Sequence, residues 1–273
     1  MSPVRRLTSA DIPSAMRLKN AVGWNQTALD WQNVLALAPD GCFGIDAEGT
    51  LVATTTAVCF GQKLAWIGMV ITDPAYRGRG LAKLLMEHAL EYLRARGVAW
   101  IKLDATDMGR PLYQRLGFRD ECAIERWIRP SGQNDIPGGS VEKFQMDATL
   151  DREAFGADRA ALLGVLAGIE SASIADAGYA MGRSGTQAAF FGPCVARSRE
   201  AARDLAIWFL ERHPAESVYW DMLPANLQAA ELARELGFEC VRKLVRMSLS
   251  DRGAAPLGNH DELVFAAAGF EYG

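Results

Sequence analysis

Hydrophobic and polar residues along the first half of the chain predict alternating strands and helices. Two apolar runs at 42–45 and 51–59 flank a turn and predict antiparallel strands, and a third at 64–72 ends before a proline. From Gly80 the apolar residues recur at the helical period, and Gly97 follows where a C-cap glycine belongs. The other predicted elements are a strand at 4–7, a helix towards Val22, a strand at 98–103, a short helix at 111–116 and a strand at 121–128.

The alternating pattern is interrupted at 129–140 and then begins again. This segment reads RPSGQNDIPGGS, and its proline, glycine and polar residues are typical of a linker. We therefore predict a first domain at 1–130, a linker at 131–140 and a second domain at 141–273. The elements predicted for the second domain are helices at 161–170, 200–212 and 225–236, and strands at 179–183, 187–196, 218–223, 240–249 and 263–271.

The second domain repeats parts of the first. The segment LYQRLGF at 112–118 returns as LARELGF at 232–238, 120 residues later. Leu81-Ala82 returns as Leu205-Ala206, 124 residues later. Similar segments in the same order at nearly constant spacing indicate duplication of one α/β domain. Chance similarity is the alternative, because the shared letters are few.

Composition narrows the possible functions. Of 273 residues, 49% are hydrophobic and 23% are charged, which is typical of a soluble globular protein. The net charge of −4 shows no basic excess, so we expect neither nucleic acid nor a membrane as a partner. The five cysteines and three histidines are widely spaced, which argues against disulfides or a metal site and favours a cytoplasmic location. The pattern leaves open whether the protein is a monomer or a homodimer.

The segment TDPAYRGRGLA at 72–82 predicts an anion-binding loop. A strand ends at a proline, and two glycines lead directly into a helix. Because glycine has no Cβ, a phosphate can approach the backbone at Gly78 and Gly80 and meet the free N–H groups of the first helical turn. Arg77 and Arg79 add charge that pairs with phosphate. The P-loop and dinucleotide patterns are both incomplete here, and a glycine-rich turn with solvated arginines is the alternative.

These residues resemble a known family. The run at 70–93, centred on PAYRGRGLA, resembles the acetyl-CoA-binding motif of the GNAT acyltransferases, and PLYQRLGF at 111–118 resembles their second motif. The second half of the chain is more weakly similar to the degenerate GNAT-like domain that follows the first in some members. The resemblance implies an α/β fold of two tandem GNAT-like domains, each a mixed, mostly antiparallel sheet flanked by helices.

The resemblance also implies acetyl-CoA as the cosubstrate and no metal. In GNAT enzymes two neighbouring strands part, and pantetheine lies between them like an added strand. The residues implied to contact the cofactor are Val70, Ile71 and Thr72 for pantetheine, and Arg77, Gly78, Arg79, Gly80, Leu81 and Ala82 for the diphosphate. The implied reaction is direct attack of an amine on the thioester. It requires a neutral amine, a donor to the oxyanion and an acid for the thiolate.

Tyr113 and Asp104 are the candidate catalytic residues. Tyr113 occupies the place of the family's general-acid tyrosine, and packing in the core is its alternative role. Many members carry a glutamate base on the strand equivalent to 64–72, but here that strand has no carboxylate. Three routes for the amine proton stay open: a water relay, a carboxylate from elsewhere such as Asp104, or an amine that binds already neutral. A cap of a helix or turn is the alternative role of Asp104.

The acceptor is expected to bind near the N-terminal helices, which vary within the family. Trp24, Asn25 and Gln26 suit a small pocket that stacks on a substrate and hydrogen-bonds it, with core packing and helix capping as the alternative. The offset of 124 residues aligns Asp204 with Gly80 of the glycine loop, and the offset of 120 residues aligns Ala233 with Tyr113. We therefore expect that half to be catalytically silent and to shape the acceptor site.

The predicted function is an N-acetyltransferase that transfers acetyl from acetyl-CoA to a primary amine of a small molecule. One alternative is a non-catalytic acyl-CoA-binding sensor, which the missing strand glutamate suggests. The other alternative is an acetyltransferase that acts on protein amines.

Overall fold

The computed structural model describes residues 3–133, 140–250 and 253–273. The first half follows the predicted order of elements, with an additional helix at 28–37 that was not predicted. Its strands are β1 (Arg5–Arg6), β2 (Cys42–Ala47), β3 (Thr50–Phe60), β4 (Leu64–Thr72), β5 (Trp100–Ala105) and β6 (Arg119–Arg129). Its helices are α1 (Ile12–Ala21), α2 (Ala28–Leu37), α3 (Leu81–Ala95) and α4 (Arg110–Arg115), with 3-10 turns at Ser9–Asp11 and Pro74–Tyr76.

The second half begins after the predicted linker, of which residues 134–139 lie outside the described part of the chain. Its strands are β7 (Glu142–Lys143), β8 (Glu170–Ile174), β9 (Gly178–Arg183), β10 (Ala189–Ala196), β11 (Val218–Met222), β12 (Glu239–Ser250) and β13 (Val264–Ala266). Its helices are α5 (Ala148–Phe155), α6 (Ala160–Ala167), α7 (Arg199–Leu210) and α8 (Leu227–Glu235), with a 3-10 turn at Asp261–Leu263.

Two predicted elements of the second half are wrong in extent. The helix predicted at 161–170 ends at Ala167, and Glu170 already begins β8. The strand predicted at 263–271 is regular only over β13. The chain turns back at Gly269, whose φ is +128°, and the amide of Tyr272 donates to the carbonyl of Gly269. A residue with a Cβ rarely adopts that backbone conformation, so glycine permits the turn that ends the strand.

The two halves share one sheet because they exchange strands. In the described residues the sheet has thirteen strands, in the order β1-β2-β3-β4-β5-β12-β6-β11-β10-β9-β8-β7, with β13 attached to β10. β12, from the second half, pairs antiparallel with β5, and β6, from the first half, pairs antiparallel with β11. Each half therefore completes the sheet of the other, and most neighbouring strands are antiparallel, as the resemblance implied.

Two reciprocal ion pairs bind the exchanged strands. Arg126 on β6 donates from Nε and Nη2 to the carboxylate of Asp221 on β11, both at 2.7 Å. Arg246 on β12 donates in the same way to Asp104 on β5, at 2.9 and 3.1 Å. None of these side chains is more than 9% exposed. Because an unpaired buried charge is strongly unfavourable, each pair favours the exchanged arrangement over separate halves.

Helices cover both faces of this sheet. α3 buries Leu81, Leu85 and Ala89 at the predicted helical period in a cluster with residues of β2, β3 and β4. α7 buries Leu205 and Phe209 in the corresponding cluster of the second half. These two clusters place the N-terminus of each helix beside the end of the strand that precedes it.

β4 and β5 run parallel and part halfway along their length. They pair only from Leu64–Trp100 to Trp66–Lys102, although both strands continue beyond that point. A bulge bends β4 in the unpaired stretch. Met69 has a φ of +49°, and its carbonyl accepts a hydrogen bond from Thr54 Oγ1 at 2.8 Å. The gap that results is where the resemblance places pantetheine.

The strand exchange predicts how fragments of the chain behave. A fragment of residues 1–133 lacks β12, the strand that lies between β5 and β6 in the sheet, and leaves two long unpaired edges, so we expect it not to fold alone. Fragments 1–133 and 140–273 expressed together should assemble into a stable complex. Circular dichroism and size-exclusion chromatography measure both outcomes, and cooperative unfolding of the lone 1–133 fragment as a monomer would contradict the dependence.

Candidate active site

The loop between β4 and α3 has the geometry of an anion cradle. Gly78 and Gly80 have φ values of +75° and +80°, and at both positions an added Cβ would meet no atom within 4 Å. α3 begins at Leu81, so the N–H groups of its first turn have no partner within the helix. The backbone and the positive end of the helix dipole therefore favour an anion at this loop.

The cradle opens into a cleft of about 730 Å³. The cleft is lined by predicted cofactor-binding residues, namely Val70, Ile71, Thr72, Arg77, Gly78, Gly80, Leu81 and Ala82. The Oγ1 atom of Thr72 is buried and has no hydrogen-bond partner in the described residues, so a ligand in the cleft would satisfy it. An elongated ligand that carries a diphosphate and an amide-rich arm, as coenzyme A does, fits this cleft.

Arg79 is the predicted cofactor-binding residue whose side chain turns away. Its guanidinium lies 4.7 Å from the centre of the Tyr76 ring and donates to the carbonyl of Ala75 at 3.3 Å. The positive side chains of Arg77 and Lys83 line the cleft instead. For Arg79 the predicted contact with the diphosphate is therefore limited to its backbone amide.

Tyr113, on α4, lies where the cleft meets a second cavity. Its ring packs edge-on against Phe118 and lies against Gly109, where an added Cβ would come within 2.8 Å of the ring. Burial raises the pKa of the Tyr113 phenol, so the hydroxyl stays protonated at neutral pH.

The second cavity, which we call the inner cavity, has a volume of about 70 Å³. The first half contributes Trp24, Gln26, Ile67, Gly68, Met69, Val70, Leu103, Asp104, Thr106, Tyr113 and Arg126, and the second half contributes Arg242, Leu244, Phe270 and Glu271. An added Cβ at Gly68 would come within 2.7 Å of the Cα of Glu271, so glycine is needed for this close approach. The predicted silent half therefore supplies one wall of the inner cavity.

Most charged side chains of the inner cavity form ion pairs with other side chains of the protein. Asp104 and Arg126 belong to the reciprocal pairs described above, and Glu271 accepts from Arg183 Nη2 at 2.7 Å. Glu271 also accepts from Gln26 Nε2 at 3.0 Å, while Gln26 Oε1 is buried without a partner in the described chain. Burial raises the pKa of both Asp104 and Glu271.

Asp104 is close to the predicted chemistry but is held by Arg246. Both of its oxygens accept from that guanidinium, and the same arrangement recurs at Arg126–Asp221 in the other half. Because the same ion pair recurs in the other half, a structural role in the sheet explains why an aspartate occupies position 104. Its role as the base stays a prediction, which the ion pair disfavours.

The three predicted acceptor-binding residues occupy different places. Trp24 and Gln26 line the inner cavity, and their contact with an acceptor stays a prediction. Asn25 does not line it: its Nδ2 donates to the carbonyl of Ala188 at 3.0 Å, and its Oδ1 accepts from the amides of Gln187 and Ala188. Asn25 therefore joins the N-terminal helices to the β9–β10 hairpin.

Several residues of the inner cavity were not predicted from the sequence, and among them are Arg126, Arg242, Phe270 and Glu271. Strand exchange brings in the two arginines, and the turn at Gly269 brings in the other two. A local signal was the recurrence of Arg126 as Arg246, 120 residues later, in the corresponding predicted strand.

In its described residues, the second half has neither an anion cradle nor an open slot between strands. α7 begins at Arg199, and Ser198 Oγ already accepts from the amide of Ala201 at 3.2 Å. Ser198 therefore takes the place of Gly80, and the predicted alignment of Leu81 with Leu205 is wrong. β10 and β11 are paired only as far as Phe191–Trp220, and β13 pairs with β10 beyond that point. The chain itself thus fills the gap that stays open in the first half.

Two family models match the chain in tandem. Residues 14–118 match the model described as "Acetyltransferase (GNAT) family", and residues 148–266 match the model described as "Acetyltransferase (GNAT) domain". The chain belongs to the GNAT acetyltransferase family. It is an acyltransferase with two GNAT domains in tandem, which confirms the resemblance and the fold class expected from the sequence.

Relatives and a solved structure agree with this assignment. Glucosamine 6-phosphate N-acetyltransferase of Trypanosoma brucei brucei is 32% identical over 123 residues, covering 45% of this chain and 80% of that protein. [Ribosomal protein bS18]-alanine N-acetyltransferase of Salmonella typhimurium is 26% identical over 139 residues, covering 49% and 90%. A crystal structure assigned as an acetyltransferase from Pyrococcus horikoshii has a TM-score of 0.84 at 22% identity, covering 99% of this chain and 95% of that one, and so shares the fold of both GNAT domains.

Two further features of the described residues concern metals and membranes. They contain no group of three or more His, Cys, Asp or Glu side chains placed to hold a metal ion. No helix in the same residues is long and apolar enough to cross a bilayer.

Gly80→Ala tests the cradle. We expect the Kd for acetyl-CoA to rise by about tenfold, roughly the loss of one charge-assisted hydrogen bond, because a methyl group enters the anion's space. Calorimetry gives the affinity and the stoichiometry, which we expect to be one. Gly49→Ala is the matched control, because Gly49 has a φ of +76° and equally open surroundings in a distant turn. Equal weakening by both variants would attribute the effect to backbone strain.

Tyr113→Phe tests the general acid. We expect kcat to fall by about 100-fold or more with the Kd for acetyl-CoA nearly unchanged, because only the proton donor is removed. Steady-state kinetics and calorimetry measure the two quantities. Tyr92→Phe, which removes a hydroxyl on α3 away from both cavities, should leave kcat unchanged. An unaltered single-turnover rate for Tyr113→Phe would exclude Tyr113 from proton transfer.

Proposed function

We propose that the protein is an acetyl-CoA-dependent N-acetyltransferase that acts on a primary amine of a small molecule by direct attack on the thioester. One observation carries the proposal: the cofactor-sized cleft and the inner cavity meet at Tyr113. An acetyl group delivered along the cleft would reach the junction that an amine in the inner cavity also reaches. Holding both reactants at one point removes much of the entropic cost of their encounter.

The parted strands would orient the acetyl donor. Beyond Trp66 the edge of β4 that faces β5 has no partner strand in the part of the chain that the structure describes, so its backbone groups are available to bind the pantetheine arm. The same edge, bent by the bulge at Met69, offers N–H groups to an oxyanion developing at the junction. Tyr113 would then protonate the departing thiolate.

The amine must be neutral before it attacks. Both oxygens of Asp104 are bound by Arg246, and those of Glu271 are bound by Arg183 and Gln26. We therefore infer that the amine loses its proton to water from the open cleft, or binds already neutral. Both routes were left open by the missing glutamate on β4.

The size of the inner cavity favours a small acceptor over a protein. A volume of about 70 Å³ behind the junction suits a compact amine, and the second half encloses it on one side. The two relatives differ on this point, since one is named for glucosamine 6-phosphate and the other for an alanine of a ribosomal protein. The protein-amine alternative is therefore tested beside the proposal.

Release of free thiol from acetyl-CoA measures the activity directly. We expect thiol release with small primary amines and at least tenfold lower kcat/KM with peptides carrying free N-termini or lysines, because a peptide must leave its chain outside the inner cavity. Preference for the peptides would support the protein-amine alternative. Binding of acetyl-CoA without thiol release for any amine or peptide would support the sensor instead.

The same assay across pH tests the fate of the amine proton. We expect kcat/KM to rise with pH and level off at the pKa of the amine itself, because only the neutral amine attacks. A plateau that starts at the same lower pH for amines of different pKa would instead indicate an enzyme carboxylate as the base.

A further inference from the structure

Among the described residues, the inner cavity contains one charged side chain that no other side chain neutralises. Arg242, on β12, is half-buried and has no ion pair or side-chain hydrogen bond within the described chain. The other charged side chains of the cavity, Asp104, Arg126 and Glu271, all have partners. Removing a cation from water without supplying a counter-charge is unfavourable, so this arrangement is suited to a ligand that brings the negative charge.

The surroundings of Arg242 add to this positive charge. Arg242 and Arg126 are direct partners in the antiparallel pairing of β12 with β6. Like charges at such positions repel each other, and Asp221 is already bound by Arg126. Burial and the nearby Arg126 lower the pKa of the Arg242 guanidinium, although Asp221 opposes the shift.

The repeat shows that the fold does not need this arginine. In the β12–β6 pairing, Arg246 lies opposite Cys122, and Arg126 lies opposite Arg242. The 120-residue repeat relates Arg126 to Arg246 and Cys122 to Arg242. Cys122 is thus the counterpart of Arg242, beside an equivalent Arg–Asp pair. Because the fold builds that pair with an uncharged residue opposite, the charge of Arg242 calls for an explanation other than stability.

The inner cavity also carries acceptors for N–H groups. Gln26 Oε1 is buried without a partner in the described residues, and Glu271, which accepts from Gln26 Nε2, is a carboxylate. Gln26 and Glu271 line the inner cavity alone, whereas Arg242 lines both the inner cavity and the cleft. The inner cavity therefore combines a cation next to the cleft with hydrogen-bond acceptors for an amine.

We propose that the acceptor is a primary amine that also carries an anionic group, a carboxylate or a phosphate, and that Arg242 binds that group. This inference rests on the proposed function and narrows its substrate class. A charge-assisted hydrogen bond of this kind contributes about 10- to 100-fold in affinity.

Three probes that share the aminoethanol skeleton test the inference. Ethanolamine is the uncharged reference, L-serine adds a carboxylate to it, and phosphoethanolamine adds a phosphate. Calorimetry of the coenzyme A-saturated protein measures binding of each probe, and thiol release from acetyl-CoA measures kcat/KM. Each measurement is made on the natural protein, on Arg242→Gln and on Arg242→Lys.

We expect the affinity and kcat/KM for serine or phosphoethanolamine to be at least tenfold higher than those for ethanolamine. The better of the two probes identifies the anionic group. Arg242→Gln should abolish this preference by raising KM for the anionic probe, and Arg242→Lys should restore part of it. Affinity for acetyl-CoA should not change. Arg119→Gln, which removes an exposed arginine of β6 outside both cavities, should leave the preference intact.

Three results would overturn the inference. One is equal binding of ethanolamine and both anionic probes. Another is failure of every probe to bind. The third is weaker acetyl-CoA binding in Arg242→Gln with unchanged acceptor preference, since Arg242 also lines the cofactor cleft and would then serve the cofactor. Thiol release without preference contradicts the inference alone, whereas Arg242-dependent binding of an anionic probe without any thiol release contradicts the proposed function alone.

Discussion

The reciprocal pairs Arg126–Asp221 and Arg246–Asp104 are the interactions on which the rest of the structure depends. Each joins a strand of one half to a strand of the other, and each is buried where an unpaired charge would be strongly unfavourable. They fix β6 and β12 in exchanged positions at the centre of the sheet. The two GNAT domains therefore form a single structural unit, and the inner cavity can be lined by residues from both.

Duplication left two similar slots, and the chain uses them differently. In the first half the gap between β4 and β5 stays open and continues into the glycine cradle. In the second half β13 pairs with β10 in the corresponding gap. A strand of the protein thus occupies the place in which pantetheine is proposed to lie in the first half, which gives a structural reason why the second copy is expected to be silent.

Filling the second slot also helps to build the first site. The chain leaves β13, turns at Gly269 and brings Phe270 and Glu271 against β4. The Trp66 indole donates to the carbonyl of Phe270 at 3.1 Å, which fixes this approach. The second half thus contributes residues to the inner cavity although it lacks a cradle of its own. This arrangement couples a duplicated fold to the shape and charge of the proposed acceptor site.

Local sequence was sufficient for the glycine loop and for most of the elements, although α2, α5, β7 and β8 were missed. Gly78 and Gly80 between a strand and an amphipathic helix specify an anion loop, because the backbone conformation and the free amides depend on neighbouring residues alone. The role of Tyr113 was implied by the resemblance of its motif, and the structure places it between the cleft and the inner cavity. The inner cavity was decided by tertiary structure. Arg126, Arg242 and Glu271 are far apart in the chain, and only strand exchange and the turn at Gly269 bring them together, so no local pattern could show which charges are neutralised and which one is left.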